Sequence, residues 1–179
     1  HGDALLQRVF WRRTKFSRTE PGARSVEQVI AANVDTVFLV QSLNHDLNLR
    51  RLERYLALLW ESGAEPVVVL SKADLCGDPA PLVEAVESSA RGVAVHVVRA
   101  LEPGGLDPLR PYVRFGRTAA LVGSSGVGKS TIVNRFVGEE ILATREIRDD
   151  DRGRHATTAR HLVLLKEGGM LLDTPGMRE

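Results

Sequence analysis

From residue 34 onward the chain alternates between two kinds of hydrophobic pattern. VDTVFLV (34–40), EPVVVLSKADL (65–75) and VAVHVV (93–98) carry short unbroken apolar runs, as strands buried on both faces do. Between them, LNLRRLERYLALLWESG (47–63) places Leu49, Leu52, Leu56 and Leu59 on one helical face and ends at Gly63, a helix stop signal. APLVEAVESSAR (80–91) predicts a second helix. A glycine-rich stretch near Gly104 and a short segment to Tyr112 lead to a further strand, and then to a helix reaching about Val137. HLVLL and GMLLD predict two last strands, joined by a hairpin turn at Lys166, Glu167, Gly168 and Gly169. Apolar strands alternating with helices predict an α/β fold with right-handed crossovers. Its mostly parallel sheet is covered on both faces, which makes three layers.

Two regions break the alternation. Residues 143–160 (ATREIRDDDRGRHATTAR) are charged and lack hydrophobic period, which predicts a long loop. At the other end, LLQRVFWRRTKF (5–16) reads as one or two strands, and SRTEPGAR (17–24) as the turn and linker leaving them.

The stretch TAALVGSSGVGKST (118–131) carries the clearest chemistry. The apolar run from Ala119 to Val122 feeds the pattern Gly123-x-x-x-x-Gly128-Lys129-Ser130, and a helix follows. That strand–loop–helix context is the one a phosphate-binding loop requires. Gly123, Ser124, Ser125 and Gly126 are expected to turn successive N–H groups around a phosphate. Val127, Gly128 and Thr131 carry the chain into a helix whose positive dipole end adds to the attraction. Lys129 would reach the outer phosphates, and the Ser130 hydroxyl would ligate Mg²⁺.

A second strand ends in Asp173-Thr174-Pro175-Gly176. An aspartate at the tip of a buried strand beside a phosphate site is placed to hold Mg²⁺, and the Gly176 N–H to bond a γ-phosphate. Thr157 and Thr158, in the intervening loop, are candidates to complete the metal shell; counting back from Asp173 favours Thr157. Ser71-Lys72-Ala73-Asp74 resembles the guanine-reading Asn-Lys-x-Asp of GTPases. Asp74 would accept from the guanine ring N–H and exocyclic amine, a donor pair that adenine lacks. The Lys72 stem would cover the base. Ser71 stands where asparagine is usual, removing an amide able to brace the phosphate loop; lower affinity with intact selectivity is expected. Arg99-Ala100 stands where a GTPase carries Ser-Ala, and Ala100 would offer its N–H to the base.

The charge balance changes the picture only locally. The chain carries 24 Lys and Arg against 23 Asp and Glu, so net charge points to no polyanionic partner overall. Residues 1–25, however, hold Arg8, Arg12, Arg13, Lys15, Arg18 and Arg24 against Asp3 and Glu20, interleaved with Phe10, Trp11 and Phe16. That composition suits RNA, and equally a solvated edge strand. No run of about 18 apolar residues and no signal-peptide pattern is found, so neither a membrane span nor secretion is expected, and the default location is cytoplasmic. Cys76, the single cysteine, makes no disulfide or zinc site alone.

Ordinary GTPases run phosphate loop, switch threonine, DxxG and guanine motif; here the guanine motif comes first, an order that one sheet accommodates by circular permutation. With EQVIAANVD (27–35), SKAD, GSSGVGKS, GRHATTARH (153–161) and DTPGMRE (173–179), the chain resembles the circularly permuted GTPases. It is most similar to the bacterial ribosome small-subunit-dependent GTPase A family, over about residues 9–179.

The resemblance implies an oligonucleotide-binding barrel, a permuted GTPase domain and a C-terminal zinc domain that docks on the ribosome. Residues 1–25 would then be the last strand or two of the barrel with its linker, and residues 26–179 the GTPase domain, cut after DTPG. Zinc is expected only in the domain that is missing. His155 matches the family's switch-loop histidine and becomes the candidate for positioning water, since Met177 stands where Ras-like enzymes carry glutamine. Implied partners are GTP or GDP with Mg²⁺, and the 30S subunit with its rRNA; a monomer is expected. The rival readings are a permuted GTPase with another ribosomal or RNA partner, and a P-loop ATPase or small-molecule kinase.

Overall fold

The computed structural model describes residues 5, 7–19, 27–43, 47–142 and 160–176. In chain order these form β1 (Lys15–Thr19), β2 (Glu27–Ala32), β3 (Thr36–Ser42), α1 (Leu49–Ser62), β4 (Glu65–Ser71), α2 (Ala80–Ser89) and β5 (Ala94–Val97). Then follow β6 (Thr118–Val122), α3 (Lys129–Val137), β7 (His161–Leu164) and β8 (Met170–Asp173). Short 3-10 helices stand at Ala73–Leu75 and Asp107–Val113.

Six strands make one sheet in the order β5-β4-β3-β6-β8-β7. All neighbours run parallel except β7, which returns antiparallel to β8 through a turn closed by Leu165 N–H to Gly169 O, 2.8 Å. β3 lies inside the sheet with every residue buried, which is why its sequence shows an apolar run rather than an alternation.

Side chains alternate between the two faces. Val37, Leu39, Val68, Leu70, Ala120 and Val122 pack with Leu52, Leu56 and Leu59 of α1 and Val86 of α2. Phe38, Val40, Val67, Val69, Ala119, Leu121 and Leu171 pack with Ile132 and Val133 of α3 and with Leu109 and Val113 of the second 3-10 helix. Three layers result, as the pattern predicts. α1 starts where the Asn48 side chain accepts the Arg51 N–H and ends at Gly63, φ +76°. Of its leucine series, Leu52 and Leu59 are fully buried; Leu59→Ala would cost about 2–5 kcal/mol in lost contacts and cavity.

The N-terminal region differs from expectation. β1 begins only at Lys15 and runs through Ser17–Thr19, and its partner is β2, a strand the hydrophobic pattern does not announce. Residues 7–14 form no strand: a run of β-forming residues needs a hydrogen-bonded neighbour, and the ladder starts at Lys15↔Ala32. This pair bridges residues on both sides of position 25, and Phe16 is buried in the core beneath α1. β3 starts two residues later than predicted because Asn33, φ +56°, and Asp35 make the turn into it. Among the described residues no helix is long and apolar enough to cross a membrane.

Candidate functional site

The parallel strands β4, β5, β6 and β8 all end at the same edge of the sheet, the edge at which open α/β sheets carry their ligands. These four strand ends, the loops leaving them and the start of α3 hold every predicted site residue that the structure describes.

β6 delivers the phosphate loop. Gly123 follows Val122 with φ +149°, and a Cβ there would lie 2.3 Å from the Val40 carbonyl oxygen, so only glycine fits against the end of β3. Val127 is buried and anchors the loop, while Ser125 and Gly126 face solvent at its crest. Gly128 is the N-cap of α3 and offers no side chain, so the first amides of the helix remain uncapped and directed toward the loop's mouth. Ser124, Ser130 and Thr131 are half-buried around that mouth.

Lys129 is 7% exposed and donates from Nζ to the carbonyls of Gly123, 3.0 Å, and Ser124, 2.7 Å. Burial pulls its ammonium down to about 8, opposed by the charge of Asp173. A phosphate in the loop would add to the negative charge that Asp173 already sets near this cation.

Asp173, at the tip of β8, is 1% exposed. One carboxylate oxygen, Oδ2, accepts from the Ser130 hydroxyl at 3.2 Å, while Oδ1 is buried with no hydrogen-bond partner among the described residues. Burial raises its pKa, opposed by Lys129, Ser130, His161 and the Thr174 backbone. A buried carboxylate with an unused oxygen, in contact with a hydroxyl at a phosphate loop, is an oxygen donor set that fits Mg²⁺. Sequence reasoning missed Thr174: its hydroxyl donates to the Leu121 carbonyl at 2.7 Å, fastening the turn after β8 to the strand that feeds the loop. The turn then lays Gly176 on the loop so closely that a Cβ would sit 2.8 Å from the Ser125 nitrogen.

The loop that carries the predicted base-reading motif leaves β4. Ser71 is buried, Lys72 adopts φ +58°, and the 3-10 helix Ala73–Leu75 that follows buries Ala73 and leaves Asp74 exposed. Left-handed backbone at a non-glycine residue is strain of the kind that clusters at functional sites; here it re-aims the chain so that Asp74 stands clear of the sheet. The Ser71 hydroxyl donates to the Val127 carbonyl at 2.6 Å. The substitution of serine for asparagine therefore keeps a side-chain link to the phosphate loop, contrary to the expectation that it removes one. One strand further out, Val98 N–H bonds the Leu70 carbonyl at 2.8 Å, bringing the Arg99–Ala100 turn alongside the base-reading loop with Ala100 half-buried.

The structure thus gathers Gly123 to Thr131, Ser71, Lys72, Asp74, Ala100, Asp173 and Gly176 at one edge. His155, Thr157, Thr158 and Met177 lie outside the described residues.

Comparison with known proteins agrees with this geometry. A small ribosomal subunit biogenesis GTPase RsgA of Methanosarcina acetivorans is 52% identical over 179 residues, covering 99% of this chain and 48% of that protein. The crystal structure of YjeQ from Thermotoga maritima superposes with a TM-score of 0.67 at 26% identity, over 95% of this chain and 54% of that one. YloQ, described as a circularly permuted GTPase, matches in fold with a TM-score of 0.58 at 21% identity, over 91% of this chain and 55% of its own. The chain spans about half the length of these relatives. The guanine-type motif precedes the phosphate loop in sequence yet meets it in space, and the RsgA GTPase family model matches residues 9–179: this chain is a circularly permuted member of the RsgA GTPase family.

Proposed function

We propose that this chain binds GTP with Mg²⁺ and hydrolyses it to GDP and phosphate, as a switch in the maturation of the small ribosomal subunit. The observation that carries the reading is the pairing of Ser130 with Asp173 at the mouth of the loop, one buried carboxylate oxygen being left for a cation. When bound there, Mg²⁺ supplies positive charge to the phosphate oxygens; Ser130, Asp173 and Thr157 are the residues that would hold it. The uncapped amides of α3 and Lys129 bind the phosphates, and Lys129 stabilises the charge that develops as the γ-phosphoryl leaves. Asp74 selects guanine, with Lys72 over the base and the Ala100 amide at its edge.

His155 orients the attacking water in this reading, because it matches the family's switch-loop histidine and the thioether of Met177 stands where Ras-like enzymes carry the water-orienting glutamine. Intrinsic turnover is accordingly low, and a partner that orders the switch segment raises it. The relatives' name, small ribosomal subunit biogenesis GTPase, supports the 30S subunit as that partner; contact with its rRNA, a monomeric state and a cytoplasmic location are part of the same proposal. We assign residues 1–25 to the last strand or two of a barrel with its linker, supported by the antiparallel pairing of β1, and zinc to the C-terminal domain that the family resemblance implies.

The test is GTP hydrolysis with and without purified 30S subunits, with ATP as competitor. Strong stimulation by 30S, unaffected by ATP, supports the whole reading. Guanine-selective binding without stimulation removes the small-subunit assignment, and effective ATP competition removes the guanine reading. His155→Ala should slow 30S-stimulated hydrolysis and spare GTP affinity; an unchanged rate removes His155 from catalysis.

A further inference from the structure

β7 is the last strand of the sheet, and among the described residues nothing pairs with its outer edge. The hydrogen bonds around it fix which residues that edge presents. Leu165 N–H bonds the Gly169 carbonyl at 2.8 Å, while Met170, opposite Leu164, gives its N–H to the Arg117 carbonyl on the far side at 2.9 Å. Bonded and non-bonded pairs alternate along an antiparallel ladder, so His161 and Val163 face β8, and Leu162 and Leu164 turn N–H and C=O outward. The same two residues expose their side chains, Leu162 at 63% and Leu164 at 71%. Buried Leu165 and half-buried Val163 point the other way, into the core with Leu171. Arg160 and Lys166, each two positions beyond a leucine, are exposed and have no ion-pair partner among the described residues. Glu167, next to Lys166, is held instead by Arg110 at 3.0 Å.

An apolar strand with an open edge is a template for pairing with another chain, and proteins ordinarily blunt such edges with charge along the strand. Here the charges stand only at its ends. A second copy is disfavoured as the occupant by the strand's own sequence. In an antiparallel pair of copies, only the register that sets Leu162 against Leu164 gives each leucine a leucine, and that register sets Arg160 against Lys166. Like charges directly opposite destabilise a strand pair. RNA fits poorly as well, since leucine offers no aromatic face on which a base could stack.

We propose that the outer edge of β7 docks an extended protein segment, which adds a seventh strand antiparallel to β7 and carries two apolar side chains flanked by acidic ones. In the pattern acidic-x-apolar-x-apolar-x-acidic, the apolar residues oppose Leu164 and Leu162, and the acidic ones oppose Lys166 and Arg160. Main-chain bonds to Leu162 and Leu164 supply affinity, and the side chains supply selection. The site stands on the register, exposure and charge of the strand, and does not depend on which nucleotide the chain binds.

The experiment titrates the full chain with a labelled peptide, Glu-Thr-Val-Thr-Val-Thr-Glu, and with its counterpart carrying lysine at both ends, by fluorescence anisotropy. The acidic peptide should bind about tenfold more tightly than the lysine peptide. Arg160→Glu combined with Lys166→Glu should reverse that order, and Leu162→Thr combined with Leu164→Thr should weaken both peptides about tenfold. Since all four positions are exposed, the melting temperature should stay within about 2 °C of the parent, so lost binding would not report a lost fold. Amide hydrogen exchange, read residue by residue, gives the geometry. The acidic peptide should slow exchange at Leu162 and Leu164 about tenfold and leave Val163, already bonded to β8, unchanged. Binding without that alternation, a preference unaltered by the charge reversal, or no binding at millimolar peptide overturns the proposal. Tighter binding of a uridine oligonucleotide than of the acidic peptide, abolished by the same charge reversal, assigns the edge to RNA and overturns it. A parent that sediments as a dimer, dissociated by Leu162→Thr with Leu164→Thr, assigns the edge to a second copy and overturns it too.

Discussion

Ser130 and Asp173 lie 43 residues apart in sequence, and the Ser130 hydroxyl donates to Asp173 Oδ2 at 3.2 Å while Oδ1 has no hydrogen-bond partner among the described residues. Neither residue satisfies the other fully. A buried carboxylate is ordinarily saturated with hydrogen bonds, so an oxygen without a partner among the described residues is what the proposed cation site requires.

Replacing Asp173 by asparagine tests this directly. The neutral amide removes the burial penalty that raises the Asp173 pKa, and it removes the anionic donor. Asp173→Asn should raise the melting temperature of the nucleotide-free chain and lower GTP affinity at least tenfold in Mg²⁺. In EDTA the two proteins should bind alike. Nucleotide titrations with and without EDTA check it, and equal Mg²⁺ dependence in both proteins would remove Asp173 from the metal.

Lys129 carries a pH signature. Burial holds its folded pKa at about 8, below its ordinary value, so between those values the unfolded chain binds more protons than the folded one. Stability of the nucleotide-free chain should therefore rise with pH above about 8. Phosphate favours the ammonium and raises the pKa in the complex, so GDP affinity should be flat just below pH 8 and fall above it, at most tenfold per pH unit. Lys129→Arg stays charged throughout, and its affinity, whatever its level, should lose that slope. Titration calorimetry in buffers of different ionisation enthalpy would register the proton taken up.

Asp74 stands exposed beyond a left-handed Lys72, free to meet a base. Asp74→Asn exchanges two acceptor oxygens for one acceptor and one donor, which suits xanthine better than guanine. The ratio of GTP to XTP affinity should fall at least 100-fold, with most of the change coming from lost GTP binding. Competition binding with both nucleotides measures it, and an unaltered ratio would leave the base unread by Asp74.

What was legible in the sequence, and what was not, divides by the range of the interaction involved. β3, β4, β6 and α1 were readable because burial on two faces, or on one helical stripe, writes itself into local hydrophobic period. The phosphate loop was readable because its glycines answer local backbone demands. β2 was not, since Glu27–Ala32 becomes a strand only by pairing with β1. Thr174, and the bond that Ser71 makes, escaped for the same reason: each hydroxyl is spent on a carbonyl more than 50 residues away, at Leu121 and Val127, and neither acceptor leaves a mark in the sequence around the donor. Serine at position 71 reads as a loss when judged against a motif, and as a working link once Val127 stands 2.6 Å from it.

Two glycines of the phosphate loop separate the demands of backbone and of space. Gly126, φ +80°, has no atom of the described residues within 4 Å of where a Cβ would stand, so Gly126→Ala meets conformational strain and should cost about 1–2 kcal/mol. Gly123, φ +149°, adds a collision: its Cβ would fall 2.3 Å from the Val40 carbonyl oxygen and 3.3 Å from Val127 Cγ2, and backbone must move to relieve it. Gly123→Ala should therefore cost about 3 kcal/mol or more and abolish nucleotide binding by lifting the loop from β3. Urea unfolding of the nucleotide-free chain gives both energies. Equal costs would mean that the loop is free to shift off β3, and with it the buried Val127 that Ser71 holds; a large difference would show that the loop's shape is set by the ends of β3 and β4 before any phosphate enters.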